Sequence, residues 1–194
     1  MSKPGYYIGM TEEELIEGCK KQSRRHQEAL YRKYSRKVYG ACFRYAASDA
    51  EAEDMMQEAF IKIFRNMEKY KPTGSFEAWI KRVSINVAIE IYRRAKKIVY
   101  IESYEEVKEP SFDPHTLGKL DADQIHKLVN QLPDGYRVIF NLYAVEGYTH
   151  VEISEMLGIA EGTSKSQFSR AKAHLVKMLE EQLHIRKEDK HVRF

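Results

Sequence analysis

A chain of 194 residues with 43% apolar side chains is long enough to bury one core or two small ones. Charged residues make up 31% of it, yet the formal net charge is only +3, so any basic surface comes from local segregation. No apolar run approaches the ~20 residues that cross a bilayer, and Cys19 and Cys42 have neither metal-ligand spacing nor a disulfide pattern, which excludes a membrane span, a zinc module and a disulfide scaffold as expectations.

The opening MSKPGYYIGMTEEE has no signal-peptide stretch, so a reduced cytoplasmic setting without direct membrane insertion is expected. Thr11 with Glu14 and Ser48 with Glu51 have the spacing of capping boxes at helix starts. Leu30, Tyr34, Val38, Tyr39, Cys42 and Phe43 keep one apolar helical face. After Ser48, Met55, Met56, Ala59, Phe60, Ile63, Phe64 and Met67 do the same. Pro72 and Gly74 in YKPTGS (70–75) predict a loop. Helical spacing resumes at Phe76, Trp79, Ile80, Val83, Val87 and Ile91.

Past Lys97 the texture changes to an acidic stretch with two prolines and no sustained period, read as a linker over 98–116. Four helices are then expected: 117–132, one opened by Pro133 and closed near Gly147, a short one capped by Thr149 and Glu152 and ended at Gly158, and a last one from about Glu161 to Leu183. The tail HIRKEDKHVRF is expected to be solvated and frayed. There are no internal repeats and no strand-like alternation. The expected fold class is all-α: two small helical domains, 1–97 and 117–194, joined by a flexible acidic linker, the second containing a helix-turn-helix.

The charge is sorted along these elements. Residues 49–58 carry five carboxylates and no cation, 81–97 carry six cations and one carboxylate, and 162–178 carry four cations and no carboxylate. In the last pair of helices, Val151, Ile153, Met156, Leu157 and Ile159 are expected to pack the first helix and the turn, and Phe168, Ala171, Leu175 and Leu179 the second. The remaining early positions of the second helix, Thr163, Ser164, Lys165, Ser166, Gln167, Ser169 and Arg170, are hydrogen-bonding side chains. A helix that enters the major groove needs such residues near its start to meet base edges and phosphates. In the first domain, aromatics, cations and Asn86 interleave on one helix, a composition suited to single-stranded nucleic acid. Trp79 is expected in the core, and His150 as an exposed residue at a helix start.

No enzyme and no cofactor is expected. The carboxylates of 49–58 sit beside Met and Phe without a nucleophile, a histidine partner or a glycine-rich phosphate loop, and no metal site is assigned to them.

Three segments resemble, in order, the motifs of the extracytoplasmic-function (ECF) sigma factors, initiation factors that direct bacterial RNA polymerase core to promoters. DAEAEDMMQEAFIKIFRN is similar to the family's core-binding helix, SFEAWIKRVSINVAIEIYRR to its minus-ten segment, and LPDGYRVIFNLYAVEGYTHVEISEMLGIAEGTSKSQFSRAK to its second conserved domain. The resemblance implies that Asp54, Gln57 and Glu58 meet the clamp helices of the largest polymerase subunit, supported by Phe60 and Phe64. It implies a minus-ten set of Lys71, Thr73, Ser75, Phe76 and Asn86, with Arg93, Arg94, Lys96 and Lys97 on the backbone near the start of melting. It implies a minus-thirty-five set of Thr163, Lys165, Ser166, Ser169 and Arg170, with Lys172 on phosphate. Implied partners are the polymerase core, including the flap of the second-largest subunit, promoter DNA and an anti-sigma factor. About 20 extended linker residues reach ~65–70 Å, enough to join two such sites.

Ala160, Ser164 and Gln167 depart from the family's common Ser, Val and Arg, which bears on the promoter sequence more than on the function. A hydroxyl cap is worth ~0.5–2 kcal/mol, so the helix start at Ala160 is expected to tighten on DNA. The rival reading is a stand-alone helix-turn-helix regulator with an N-terminal oligomerisation domain, which leaves the acidic core-binding motif without a role.

Overall fold

The computed structural model describes residues 9–95 and 122–191. The linker over 98–116, and Lys96 and Lys97 with their expected DNA role, lie outside the described residues. The chain divides into two compact units, Met1–Lys97 and Ile98–Phe194, and the described residues of both are helical without a strand.

The first unit consists of α1 (Glu12–Lys20), α2 (Arg24–Phe43), α3 (Asp49–Arg65), a 3-10 turn (Met67–Lys69) and α4 (Phe76–Ala95). Thr11 caps α1 as expected: its hydroxyl accepts the Glu14 N–H at 3.1 Å and the Glu14 carboxylate accepts the Thr11 N–H at 2.9 Å. Only half of the second box forms. Ser48 accepts from the Glu51 N–H at 3.2 Å, but the Glu51 carboxylate turns to the N–H of Ala47. The corner between α1 and α2 is tight, because Gly18 lies under His26; a Cβ there would come within 2.1 Å of the imidazole.

Leu30, Tyr34, Val38 and Cys42 from α2 are buried, as are Ala52, Met55, Ala59, Phe60 and Ile63 from α3 and Phe76, Ile80, Val87 and Ala88 from α4. Each large apolar side chain so buried contributes roughly 1.5–3 kcal/mol. Three residues differ from the expected faces. Phe43 stays exposed, stacked on Tyr39, while Ile85 and Ile89 are buried although they lie outside the α4 stripe read from the sequence. Burial pushes the thiols of Cys19 and Cys42 up to about 11 and about 12, so both are protonated at neutral pH.

The second unit consists of α5 (Ala122–Asn130), α6 (Asp134–Phe140), a π turn (Asn141–Val145), α7 (His150–Leu157) and α8 (Glu161–His191). Pro133 caps α6 from outside its first turn. The expected continuous helix to Gly147 instead opens at Asn141, whose carbonyl takes the N–H of Glu146 at 2.9 Å. Val129, Leu132 and Ala171 form a core against which Ile125, Tyr136, Phe140, Leu175 and Met178 pack. Arg137 is also buried, paired with Asp134 at 3.0 Å. The expected frayed tail is corrected in part: α8 runs past Leu183 to His191.

Candidate polymerase and DNA interfaces

On α3, Asp54, Gln57 and Glu58 are all exposed, on the side opposite the buried Met55, Ala59 and Ile63. Helical spacing adds Ile61 and Arg65 to the same stripe. Ile61 is 41% exposed, a large apolar side chain among charges, and the sequence reading passed over it. Its signal is its spacing, one turn beyond Gln57 and Glu58 and out of phase with the core residues. Phe60 anchors the helix from behind, 4% exposed, with ring centroids 4.6 Å from Tyr31 and 5.9 Å from Phe64.

The loop between the 3-10 turn and α4 is pinned at both ends. The Tyr70 hydroxyl donates to the Gly74 carbonyl at 3.1 Å, and the Thr73 N–H donates to the Lys71 carbonyl at 2.7 Å. Ser75 receives the N–H of Ala78 on its hydroxyl at 3.4 Å and that of Trp79 on its carbonyl at 3.1 Å. Lys71, Thr73 and Ser75 are therefore presented on an exposed, braced loop. Phe76 is not on that surface. It is 1% exposed and sits edge-on to Tyr34 and Tyr70 and stacked 5.6 Å from Trp79. This corrects its expected place among the DNA-contacting residues: Phe76 holds the loop from beneath.

Asn86, Arg93 and Arg94 on α4 are exposed. Helical spacing puts Arg82, also exposed and missed in the sequence, on one face with Asn86 and Arg93. Arg94 is not a free cation: it pairs with Glu90, which also pairs with Lys62 of α3. The Lys62 hydrogen bond holds the Glu90 carboxyl below its ordinary range.

In the second unit a complete capping box opens α7. Thr149 accepts the Glu152 N–H at 3.2 Å and Glu152 accepts the Thr149 N–H at 2.8 Å. Gly158 closes α7 at φ 69, a left-handed conformation that costs glycine nothing. From there α8 leaves with Ser164 and Ala171 fully buried. Lys165 and Ser166 are exposed on the other side, and Ser169 and Arg170, half-buried, share it; Thr163 and Lys172, also half-buried, flank it. Lys165 pairs with Glu161 at 2.7 Å, the Ser166 hydroxyl donates to the Thr163 carbonyl at 3.1 Å, and the Lys172 ammonium lies 5.4 Å over the Phe168 ring.

Three readings of this motif are corrected. Ser164 belongs to the core and not to the outward polar set. Val151, in the first turn of α7, is 51% exposed and does not pack the motif's core. His150 is packed: its ring stacks 4.3 Å from Tyr143, and its Nδ1 lies 2.9 Å from the Ser164 hydroxyl. Burial, with Lys165 adding and Glu161 opposing, lowers the His150 pKa from its ordinary value.

Two family models match these units, sigma-70 region 2 over residues 30–98 and sigma-70 region 4 over residues 122–175. The chain is 30% identical over 154 residues to the ECF RNA polymerase sigma factor SigE of Mycolicibacterium smegmatis, covering 76% of this chain and 59% of that one. The chain belongs to the ECF sigma factors.

As a sigma factor it falls in the class of promoter-directing transcription initiation factors, and the region 2 match on the first unit weighs against an oligomerisation domain there. The sigma factor SigW of Bacillus subtilis is 28% identical over 158 residues, 75% of this chain and 84% of that one. Among solved structures, the sigma factor RpoE of Bartonella quintana, in complex with the anti-sigma factor NepR, is similar at 20% identity and a TM-score of 0.47, covering 79% of this chain and 96% of that one. Region 2 takes in α3, the braced loop and α4; region 4 takes in α7 and the first half of α8. Among the described residues no cluster of His, Cys, Asp and Glu is placed to hold a metal ion, and no helix is long and apolar enough to cross a membrane.

Proposed function

We propose that the chain is a dissociable initiation subunit of RNA polymerase, with 1–97 as its core-binding and minus-ten domain, 98–116 as a linker carried by the polymerase, and 117–194 as its minus-thirty-five domain. Asp54, Gln57 and Glu58, joined by Ile61, bind the clamp helices of the largest subunit. Lys71, Thr73, Ser75 and Asn86 hold a flipped minus-ten base, while Arg82, Arg93, Arg94, Lys96 and Lys97 follow the backbone. Thr163, Lys165, Ser166, Ser169 and Arg170 read the minus-thirty-five duplex, with Lys172 on phosphate, and the flap of the second-largest subunit holds this domain. The protein acts by binding and not by catalysis, in the cytoplasm, under an anti-sigma partner as is usual for the family.

The observation that carries this reading is the sorting of exposure. The acidic polar stripe of α3 faces solvent while Met55, Ala59 and Ile63 of the same helix are buried, and the polar side of α8 is turned away from its buried Ser164 and Ala171. Gel filtration with polymerase core tests it. The wild type co-elutes, Asp54→Arg does not, and Lys165→Ala keeps core binding while losing promoter affinity. Loss of both activities in both variants would refute the division of labour.

A further inference from the structure

The recognition helix α8 begins without a hydroxyl at the residue that precedes it. Ala160 stands there, and its carbonyl takes the N–H of Ser164 at 3.2 Å. Ser164 is completely buried, and its hydroxyl is bonded across the turn to Nδ1 of His150. His150 is the first residue of α7 and Ser164 the fourth of α8, so this bond ties the start of one helix to the start of the other.

The imidazole is held on its other sides as well. Tyr143 stacks on it at 15° between planes, and Phe168 meets it at 61° and 5.8 Å. Tyr143 in turn lies 4.5 Å from Phe168, and it projects from the π turn, which shifts the phase of the chain before α7. Ile153 and Leu157 of α7 are buried, and apolar contacts of that kind are non-directional, so they tolerate a range of roll angles. A buried hydrogen bond is directional, and a rolled helix would leave the Ser164 hydroxyl buried and unpaired. The bond persists in either tautomer of His150, because a serine hydroxyl donates or accepts.

We propose that His150 and Ser164 form a clasp that fixes the roll of α8 on α7, making both of them positioning residues for promoter recognition although Ser164 is shut away from the DNA. This rests on the reading of α8 as the minus-thirty-five helix. The outward side chains Lys165, Ser166, Ser169 and Arg170 inherit their aim from the clasp.

The test uses the full chain with polymerase core and a duplex that the wild-type complex selects from a random-sequence library. His150→Phe keeps the stacked ring and removes Nδ1; Ser164→Ala removes the hydroxyl. Each is expected to weaken duplex binding about three- to tenfold, the size of one net hydrogen bond, with core co-elution unchanged and the double variant no weaker than either single one. Unchanged affinity in the single variants, or losses that multiply in the double one, would overturn the clasp. His150→Asn and Ser164→Thr keep a bonding group at each position and are expected to bind close to wild type, which carries the test if the first pair unfolds; loss of affinity in both while core binding persists would also overturn it. If the wild-type complex selects no duplex, the minus-thirty-five reading itself fails.

Discussion

The hydroxyl of Tyr70 donates to the carbonyl of Gly74 across four residues, and the aromatic ring that carries it lies 5.0 Å from Phe76 and 5.1 Å from Trp79. One side chain thus joins the exposed loop to the core beneath it. Tyr70→Phe keeps the packing and removes the bond. Stability is expected to fall by about 0.5–1.5 kcal/mol in thermal melting, and strand opening at the minus-ten element, followed with a fluorescent base analogue, to slow. Core binding stays at the wild-type level, since α3 is untouched.

Glu90 sits between Lys62 and Arg94, with side chains 39%, 40% and 75% exposed for Lys62, Glu90 and Arg94. Ion pairs this exposed are worth roughly 0–1 kcal/mol, so Glu90→Gln is expected to leave the melting temperature almost unchanged. Removing the carboxylate also releases Arg94 to phosphate. Single-stranded DNA binding therefore tightens, and log K falls more steeply with log salt because one more counterion is displaced. A titration at several salt concentrations reads both effects.

His150 gives the second unit a pH dependence whose sign follows from its surroundings. Burial is the main cause of its lowered pKa; Lys165 adds to it and Glu161 opposes it, both from α8, while the Tyr143 ring of the π turn stacks on the imidazole. A histidine with a folded pKa below its unfolded value near 6.5 is neutral in the fold, while the unfolded chain takes up a proton first as the pH falls. Stability contributed at this site is full above that value and declines as pH falls through it toward the folded pKa. Melting the wild type and His150→Phe between about pH 8 and about pH 5 is expected to show a decline in the wild type that the variant reduces.

The helices and their punctuation were largely legible, because they are written in local residues: Thr11 with Glu14, Thr149 with Glu152, the break at Pro72 and Gly74, and the stop at Gly158. What escaped depends on contacts distant in the chain. Helical period assigns a face but not what covers it, so Ser164 reads from the sequence as one more outward polar residue, while its partner, His150, lies 14 positions earlier. Phe76 reads from the sequence as part of the loop it borders, but three aromatic neighbours draw it inward. The extent of α8 is a different case. No Gly or Pro follows Gly162, so nothing in the sequence stops the helix once its apolar period ends.

Ile61 and Ile63 make a contrast within two residues of α3. Ile61 is 41% exposed on the stripe of Asp54, Gln57 and Glu58, while Ile63 is fully buried beneath it. Ile63→Ala opens a cavity and is expected to cost about 2–5 kcal/mol of stability. Ile61→Ala removes a side chain already in water for much of its surface, so its melting temperature stays near that of the wild type. If the stripe docks on the polymerase, Ile61 is its large apolar side chain and gains from being covered, because burial of apolar area drives association. Ile61→Ala is therefore expected to weaken core binding several-fold without loss of stability, measured by fluorescence anisotropy against purified core. Equal core affinity in Ile61→Ala and the wild type would move the interface off this face of α3.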